Sequence, residues 1–267
     1  MSHPIQFFRC FQIPNNPDSG NIAAVVENFS NSLQKRKSLA QELNTPVTVF
    51  VDFDTDNKTQ ISFFYPDRQM PLCIHGALAA GKFLSNMQDN NEVQCLTSNN
   101  RKLSFKIDDS SIYLDVEAEE ISAPTLNAST LTKMLNFDIK DSDSCSVISV
   151  GSPKLLIPIN SLNALISLQP NYNFISEWSL EYKINGLYVY TPQTFAPHAN
   201  YHARAFNPIT GHNEDAATGT AAAALSYFLK KSLIIEQGHA LQTPCEISTR
   251  YTPNQTFAVG GIVKLAR

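Results

Sequence analysis

Two stretches of this 267-residue chain follow one plan, separated by roughly half its length. Residues 61–84 read ISFFYPDRQMPLCIHGALAAGKFL, and residues 203–229 read ARAFNPITGHNEDAATGTAAAALSYFL. Each runs from an apolar strand to a phenylalanine and a proline just beyond it (Phe64 and Pro66, Phe206 and Pro208). A polar turn follows, then an Ala-rich helix that ends in bulky apolar residues. A fainter echo links PNNPDSGNIAAVV with SVGSPKLLIPI, each a turn feeding an apolar strand. Such a repeat points to duplication. Helices built of Ala and Gly let neighbouring backbone approach closely, so each is expected to lie buried along its length against a sheet.

The remaining pattern is strand-rich, with periodicity and breakers marking the elements. Residues 5–13, 22–26, 47–53 and 61–66 read as strands, and 93–116 as a block of short ones. Leu33, Leu39 and Leu43 among polar residues, with Ser32 ahead, predict an amphipathic helix that stops near Asn44-Thr45-Pro46. Residues 117–145 hold an acidic stretch, a proline turn and a helix, TLTKMLNF, and read as a boundary between lobes. Strands resume at 146–150, 155–159, 186–192 and 201–208, and ISTRY and FAVGGIVKLA supply two more. The expected division is an N-terminal lobe of residues 1–118, joined by the last strand at about 256–267, and a C-terminal lobe of residues 119–255. The expected class is a two-lobed α/β (α+β) protein with one ligand site in the cleft between similar halves.

Composition removes several function classes. The net charge is −4, and the longest basic cluster, Lys35-Arg36-Lys37, carries no interleaved aromatics, so it reads as a solvated helix face and not a nucleic-acid surface. No run approaches the roughly 18 apolar residues of a membrane span. The N-terminus lacks the basic and apolar segments of a signal peptide and reads as an immediate strand. Five widely spaced cysteines without a CxxC pair fit a reduced, cytoplasmic protein and give no zinc spacing. His3, His198, His202, His212 and His239 share no metal-ligand spacing and are expected at the surface or in structural roles.

Chemistry concentrates at the two Ala-rich helix starts. A helix start exposes unpaired N–H groups and partial positive charge, which suits carboxylates or phosphates. Cys73, His75 and Gly76 sit at the first start. Glu214, Asp215, Thr218, Gly219 and Thr220 sit at the second. Two such starts facing a shared pocket would clamp a small anion. Structural roles compete with this reading: Asp215 as a helix N-cap, His75 as a hydrogen-bonded core histidine, Cys73 as a small apolar residue.

These same residues resemble the PhzF family of phenazine-biosynthesis-like isomerases, relatives of diaminopimelate epimerase and proline racemase. FRCFQIPNNPDSGNIAAVV is similar to the family's opening, and LAQELNTPVTVFV to its next helix and strand. RQMPLCIHGALAAGKFL resembles its Pro-x-x-Gly-His helix start, and NEDAATGTAAAAL its Glu-Asp-Pro-Val-Thr-Gly-Ser-Ala motif. The resemblance runs in order over nearly the whole chain. It implies a diaminopimelate epimerase-like fold of two pseudo-symmetric lobes, each a sheet wrapped around a central helix. It also implies chemistry without metal or organic cofactor, and a possible homodimer. His75 matches the family's active-site histidine and Asp215 its aspartate. Gly219 and Thr220 match its substrate-holding Gly-Ser, and Asn21 the asparagine of its Gly-Asn segment.

The departures are as specific. The family's acid/base glutamate lies in a Ser-Glu-Thr-Thr-Phe-Val segment, and the aligned residue here is Val47, which transfers no proton. Ile74 replaces the glycine before His75, Gly76 stands where proline is common, and Ala216-Ala217 replace Pro-Val. Conversely, Cys73 lies where racemases carry one of two cysteines, while the partner position reads Ala216, so a two-thiol mechanism is excluded. Two functions follow as expectations. One is a cofactor-independent isomerase or epimerase moving a proton on a small carboxylate-bearing substrate, with His75 or Cys73 taking the role that Val47 vacates. The other is a catalytically impaired relative that binds a small acid.

Overall fold

The computed structural model describes residues 4–54, 58–122, 124–139, 144–252 and 257–266, and the backbone but not the side chain of His212; His3 lies outside the described residues. The chain divides into two compact units, Met1–Asp115 with Gly260–Arg267, and Val116–Val259.

In the first unit, β1 (Ile5–Gln12) and β2 (Asn21–Glu27) pair antiparallel, with Cys10 opposite Asn21. Helix α1 (Leu33–Leu43) follows. Ser32 caps it by accepting the Lys35 amide, and Asn44 ends it in the left-handed conformation. The helix carries the chain back so that β3 (Val47–Phe53) runs parallel to β2. Next, β4 (Thr59–Phe64) lies antiparallel to β3, with the short β5 (Gln69–Met70) on its edge. Helix α2 (Ile74–Gln88) crosses over to β6 (Glu92–Thr97), parallel to β4, and β7 (Lys102–Asp108) and β8 (Ser111–Asp115) continue as a meander. The last strand of the chain, Phe257–Leu265, pairs with both β8 and β1 and so closes the sheet into a barrel. Inside it runs α2, packed on β1, β2, β3, β6, β7 and β8.

Small side chains are what let α2 fit. A Cβ added at Gly76 would lie 3.0 Å from Val49, 3.1 Å from Val47 and 3.2 Å from Phe63. At Gly81 it would meet Phe105 at 2.7 Å and Ile112 at 2.8 Å. Gly260 in the closing strand is tighter still, since its Cβ would overlap the Ile112 carbonyl oxygen at 1.9 Å.

The second unit begins with β9 (Glu119–Ile121) and helix α3 (Ala128–Leu135), then repeats the pairing order of the first. β10 (Ser146–Ser149) and β11 (Pro153–Pro158) are antiparallel, and β12 (Leu187–Thr191) is parallel to β11 after the crossover helices α4 (Leu162–Ser167) and α5 (Tyr172–Tyr182). β13 (Tyr201–Asn207) is antiparallel to β12, with the short β14 (His212–Asp215) on its edge. Helix α6 (Gly219–Leu229) crosses to β15 (Ile234–Gln237), parallel to β13, and β16 (Cys245–Tyr251) turns back. Each connection of the first unit from β1 to β7 thus has a counterpart here. One sheet face packs Leu155, Ile157, Leu187, Val189 and Phe206 against residues of α3, α4 and α5. Successive strand residues alternate faces, so Lys154, Leu156, Tyr188 and Ala205 point the opposite way, the side on which α6 packs against β10, β11 and β16.

The expected amphipathic helix and the helix TLTKMLNF are both present, as α1 and α3. The sequence reading passed over α4, α5 and β15. No helix among the described residues is long and apolar enough to cross a membrane.

Candidate active site

The start of α2 gathers three of the sequence-predicted residues. Cys73 is the N-cap, extended at φ −140 and ψ 114, and its side chain makes no capping hydrogen bond. Its sulfur instead lies 3.3 Å from His75 Nδ1 and accepts a long hydrogen bond, 3.8 Å, from the Tyr65 hydroxyl. Burial opposes ionisation of this thiol, but the His75 ring, the Gly76 amide and the Tyr65 hydroxyl outweigh it and bring its pKa below the ordinary cysteine value. Cys95 shows what burial does alone: it pushes that thiol up to about 12. Asn21, the buried first residue of β2, is paired with Cys10, whose thiol donates to the His75 carbonyl at 3.1 Å. The structure thus places Asn21, Cys73, His75 and Gly76 at one end of α2. Val47 is fully buried there, its methyls packed toward Gly76.

At the start of α6 the two acidic residues separate by strand alternation. Glu214 faces outward and pairs with Arg204 through both oxygens, at 2.8 and 2.7 Å. The same guanidinium donates to the carbonyls of Leu165, Ile166 and Leu168 and lies over the Phe206 ring. Such a buried bidentate pair anchors α4 to the sheet. Asp215 turns to the other face. Its carboxylate accepts from the Thr218 hydroxyl at 2.6 Å and the Ala217 amide at 3.4 Å.

Asp215 is not the helix cap. It ends β14, and the N-cap of α6 is Thr218, which makes no side-chain capping bond. As the N-cap, Thr218 occupies the place that Cys73 holds on α2, so the counterpart of Cys73 is Thr218 and not Ala216. Gly219 and Thr220 form the first turn of α6.

Gln237 was missed in the sequence and is central to this turn. Its side-chain amide donates to the Asp215 carbonyl at 2.8 Å and to Thr218 Oγ1 at 3.2 Å, and accepts from the Thr218 amide at 3.3 Å. No local signal marks Gln237, since β15 is only four residues long. Its neighbour Glu236 is fixed by the amides of Phe195 and Ala196, at 2.9 and 2.6 Å, and by His202 at 3.1 Å. Burial works against the Glu236 carboxylate, yet His202 and the two amides hold its pKa below the usual range. His239 stacks on Phe195 beside His202. His202 and His239 thus pack together with Phe195 and Glu236, and among the described residues no group of His, Cys, Asp or Glu side chains is arranged to hold a metal ion.

In each unit a sheet packs against a small-residue helix, with polar groups collected where that helix begins, and this is the diaminopimelate epimerase-like fold. The backbone superposes on a phenazine biosynthesis protein of the PhzF family from Bacillus anthracis with a TM-score of 0.84, at 17% identity, covering 100% of this chain and 98% of that one. A hydroxyproline epimerase from Agrobacterium vitis, solved with bound trans-4-hydroxy-L-proline, matches with a TM-score of 0.59 at 10% identity, covering 98% and 90% of the two chains. An uncharacterized isomerase of Clostridium acetobutylicum is 29% identical over 231 residues, 79% of this chain and 74% of that protein. The model of the phenazine biosynthesis-like PhzC-PhzF family matches residues 14–261, and the chain belongs to that family.

Proposed function

We propose that this chain is a cofactor-independent isomerase that moves a proton between positions of a small carboxylate-bearing substrate. The observation that carries the reading is the Cys73–His75 pair, 3.3 Å apart at the start of a buried helix, with its thiol pKa drawn down. Thiolate and imidazolium side by side form a proton-transfer couple. The pair takes a proton from a substrate C–H bond, the electron pair left on carbon spreads into the adjacent carboxylate, and the proton returns at a different position or face. Substrate and product are isomers, and no redox partner is needed. Asn21 and Gly76 belong to the same helix end. At the start of α6, Asp215, Gly219 and Thr220 carry the substrate-binding roles that the resemblance implies for them, with helix-start amides suited to a carboxylate.

In D2O, a suitable carboxylate, beginning with trans-4-hydroxy-L-proline and other cyclic or amino acids, loses a C–H proton signal in the presence of the protein. His75→Ala and Asp215→Ala abolish the loss. If no member of a broad panel exchanges, the proposal fails.

Val47 favours a second reading. A fully buried valine stands where the resemblance implies the family's acid/base glutamate, which fits a relative that binds a small acid without turning it over. In that case acids raise the melting temperature by mass action, and exchange is never seen.

A further inference from the structure

The C-terminal unit carries a buried cluster separate from the Cys73–His75 pair. Lys154, on β11, is 2% exposed. Its ammonium donates to Asn207 Oδ1 at 2.6 Å and to the Asn185 carbonyl. Both acceptors are neutral, and no ion pair among the described residues includes Lys154. An ammonium has three donors, so one N–H remains beyond these two bonds. Tyr188, on the neighbouring β12, is fully buried, and its hydroxyl has no hydrogen-bond partner. Both residues sit on the α6-facing side of the sheet. The cross-strand row Leu156–Tyr188–Ala205–Asp215 runs from β11 to β14, and Lys154 lies two residues from Leu156 on the same face. The Asp215 carboxylate acts electrostatically on both groups.

The backbone is shaped to hold this arrangement. Gly186, at φ +80, would clash with the Phe206 carbonyl at 2.1 Å and with Asn207 Oδ1 at 2.8 Å if it carried a Cβ. Its missing side chain therefore leaves the space for the Asn207 amide that steadies Lys154. Asn185, which supplies the other acceptor, is itself tied to Ser152 Oγ at 2.8 Å. A buried cation without a counter-charge is costly, and burial lowers the Lys154 pKa to about 7 although Asp215 opposes the shift. Neither Lys154 nor Tyr188 is placed as a stabilising group. Together they offer two donors on the sheet face that also carries Asp215, a half-buried carboxylate that the family resemblance puts at the reaction.

We propose that Lys154 and Tyr188 are a substrate-holding pair that binds an anionic oxygen, a carboxylate oxygen of the substrate, next to Asp215. This rests on the proton-transfer reading for its chemistry but not for its test.

Lysine 13Cε and 15Nζ signals of the full chain, assigned with Lys154→Met, are followed by NMR while malonate is added. Malonate shifts the Lys154 signals and leaves the exposed lysines in place, and Lys154→Met and Tyr188→Phe each weaken malonate binding at least tenfold. With a substrate that exchanges in D2O, the same variants raise KM at least tenfold and lower kcat less. A Lys154 signal that moves with neither malonate nor oxalate, or variants that bind malonate within twofold of the parent, would overturn the pair's role. Malonate binding at Lys154 with no exchange of any acid would leave the pair standing and remove the proton-transfer reading.

Discussion

Cys73 and Cys95 are both buried cysteines, yet they are placed at opposite ends of reactivity. The thiolate is the nucleophile, so reactivity follows the thiol pKa. Cys73 has a histidine, an amide and a hydroxyl favouring its anion, whereas Cys95 has only desolvation. Iodoacetamide at neutral pH is therefore expected to label Cys73 well before Cys95, read by peptide mass spectrometry in a Cys145→Ser background that removes the half-exposed thiol. Lys154 makes a prediction about stability. Its folded pKa of about 7 lies below the ordinary lysine value. Between the two values the unfolded chain holds a proton that the folded chain lacks, so this group makes stability rise with pH across that window, and its full penalty is present below 7. Lys154→Met should stabilise the protein at pH 6, by on the order of 1–4 kcal/mol, and flatten the rise from pH 7 to 10. Denaturant melts at three pH values check both, and a destabilised Lys154→Met would contradict them.

The elements explain why some of this was legible and some was not. Helix α1 could be read because a serine cap, leucine spacing and an Asn stop agree within a dozen residues. β3 could be read from its β-branched run. Helix α5 could not: Leu180 and Tyr182 are exposed while Ile175 and Trp178 are buried, so its apolar residues do not mark one face. Of the candidate site, His75, Cys73 and Asp215 were reached through helix-start chemistry and the resemblance. Gln237 and Lys154 were not, because each acts across the fold, 22 residues from Asp215 and 53 from Asn207. Tight helix seating gives its own prediction. Gly76→Ala forces Val47, Val49 and Phe63 apart by a few tenths of an ångström and should cost about 1–3 kcal/mol, seen as a lower denaturation midpoint. Glu214→Gln removes the carboxylate that Arg204 grips and should destabilise by about 3–5 kcal/mol, while the KM for a carboxylate substrate stays unchanged. A raised KM with intact stability would instead move Glu214 into the site.

At the scale of the molecule, one connection order occurs twice, and both copies bring a small-residue helix to begin where polar side chains collect. That order is what the first residues compared, 61–84 and 203–229, had encoded as a strand, a proline turn and an Ala-rich run. Gly76 and Gly81 leave little room for a larger side chain on α2, and the polar groups Cys73 and His75 lie where that helix begins. A proton moved by the Cys73–His75 pair requires that substrate meet Cys73. Its alkylation rate, measured against rising concentrations of an acid that exchanges in D2O, should fall to a small fraction with a half-effect near the KM of exchange. If saturating acid turns over while Cys73 alkylates at an unchanged rate, the proton is moved elsewhere and the assignment is wrong.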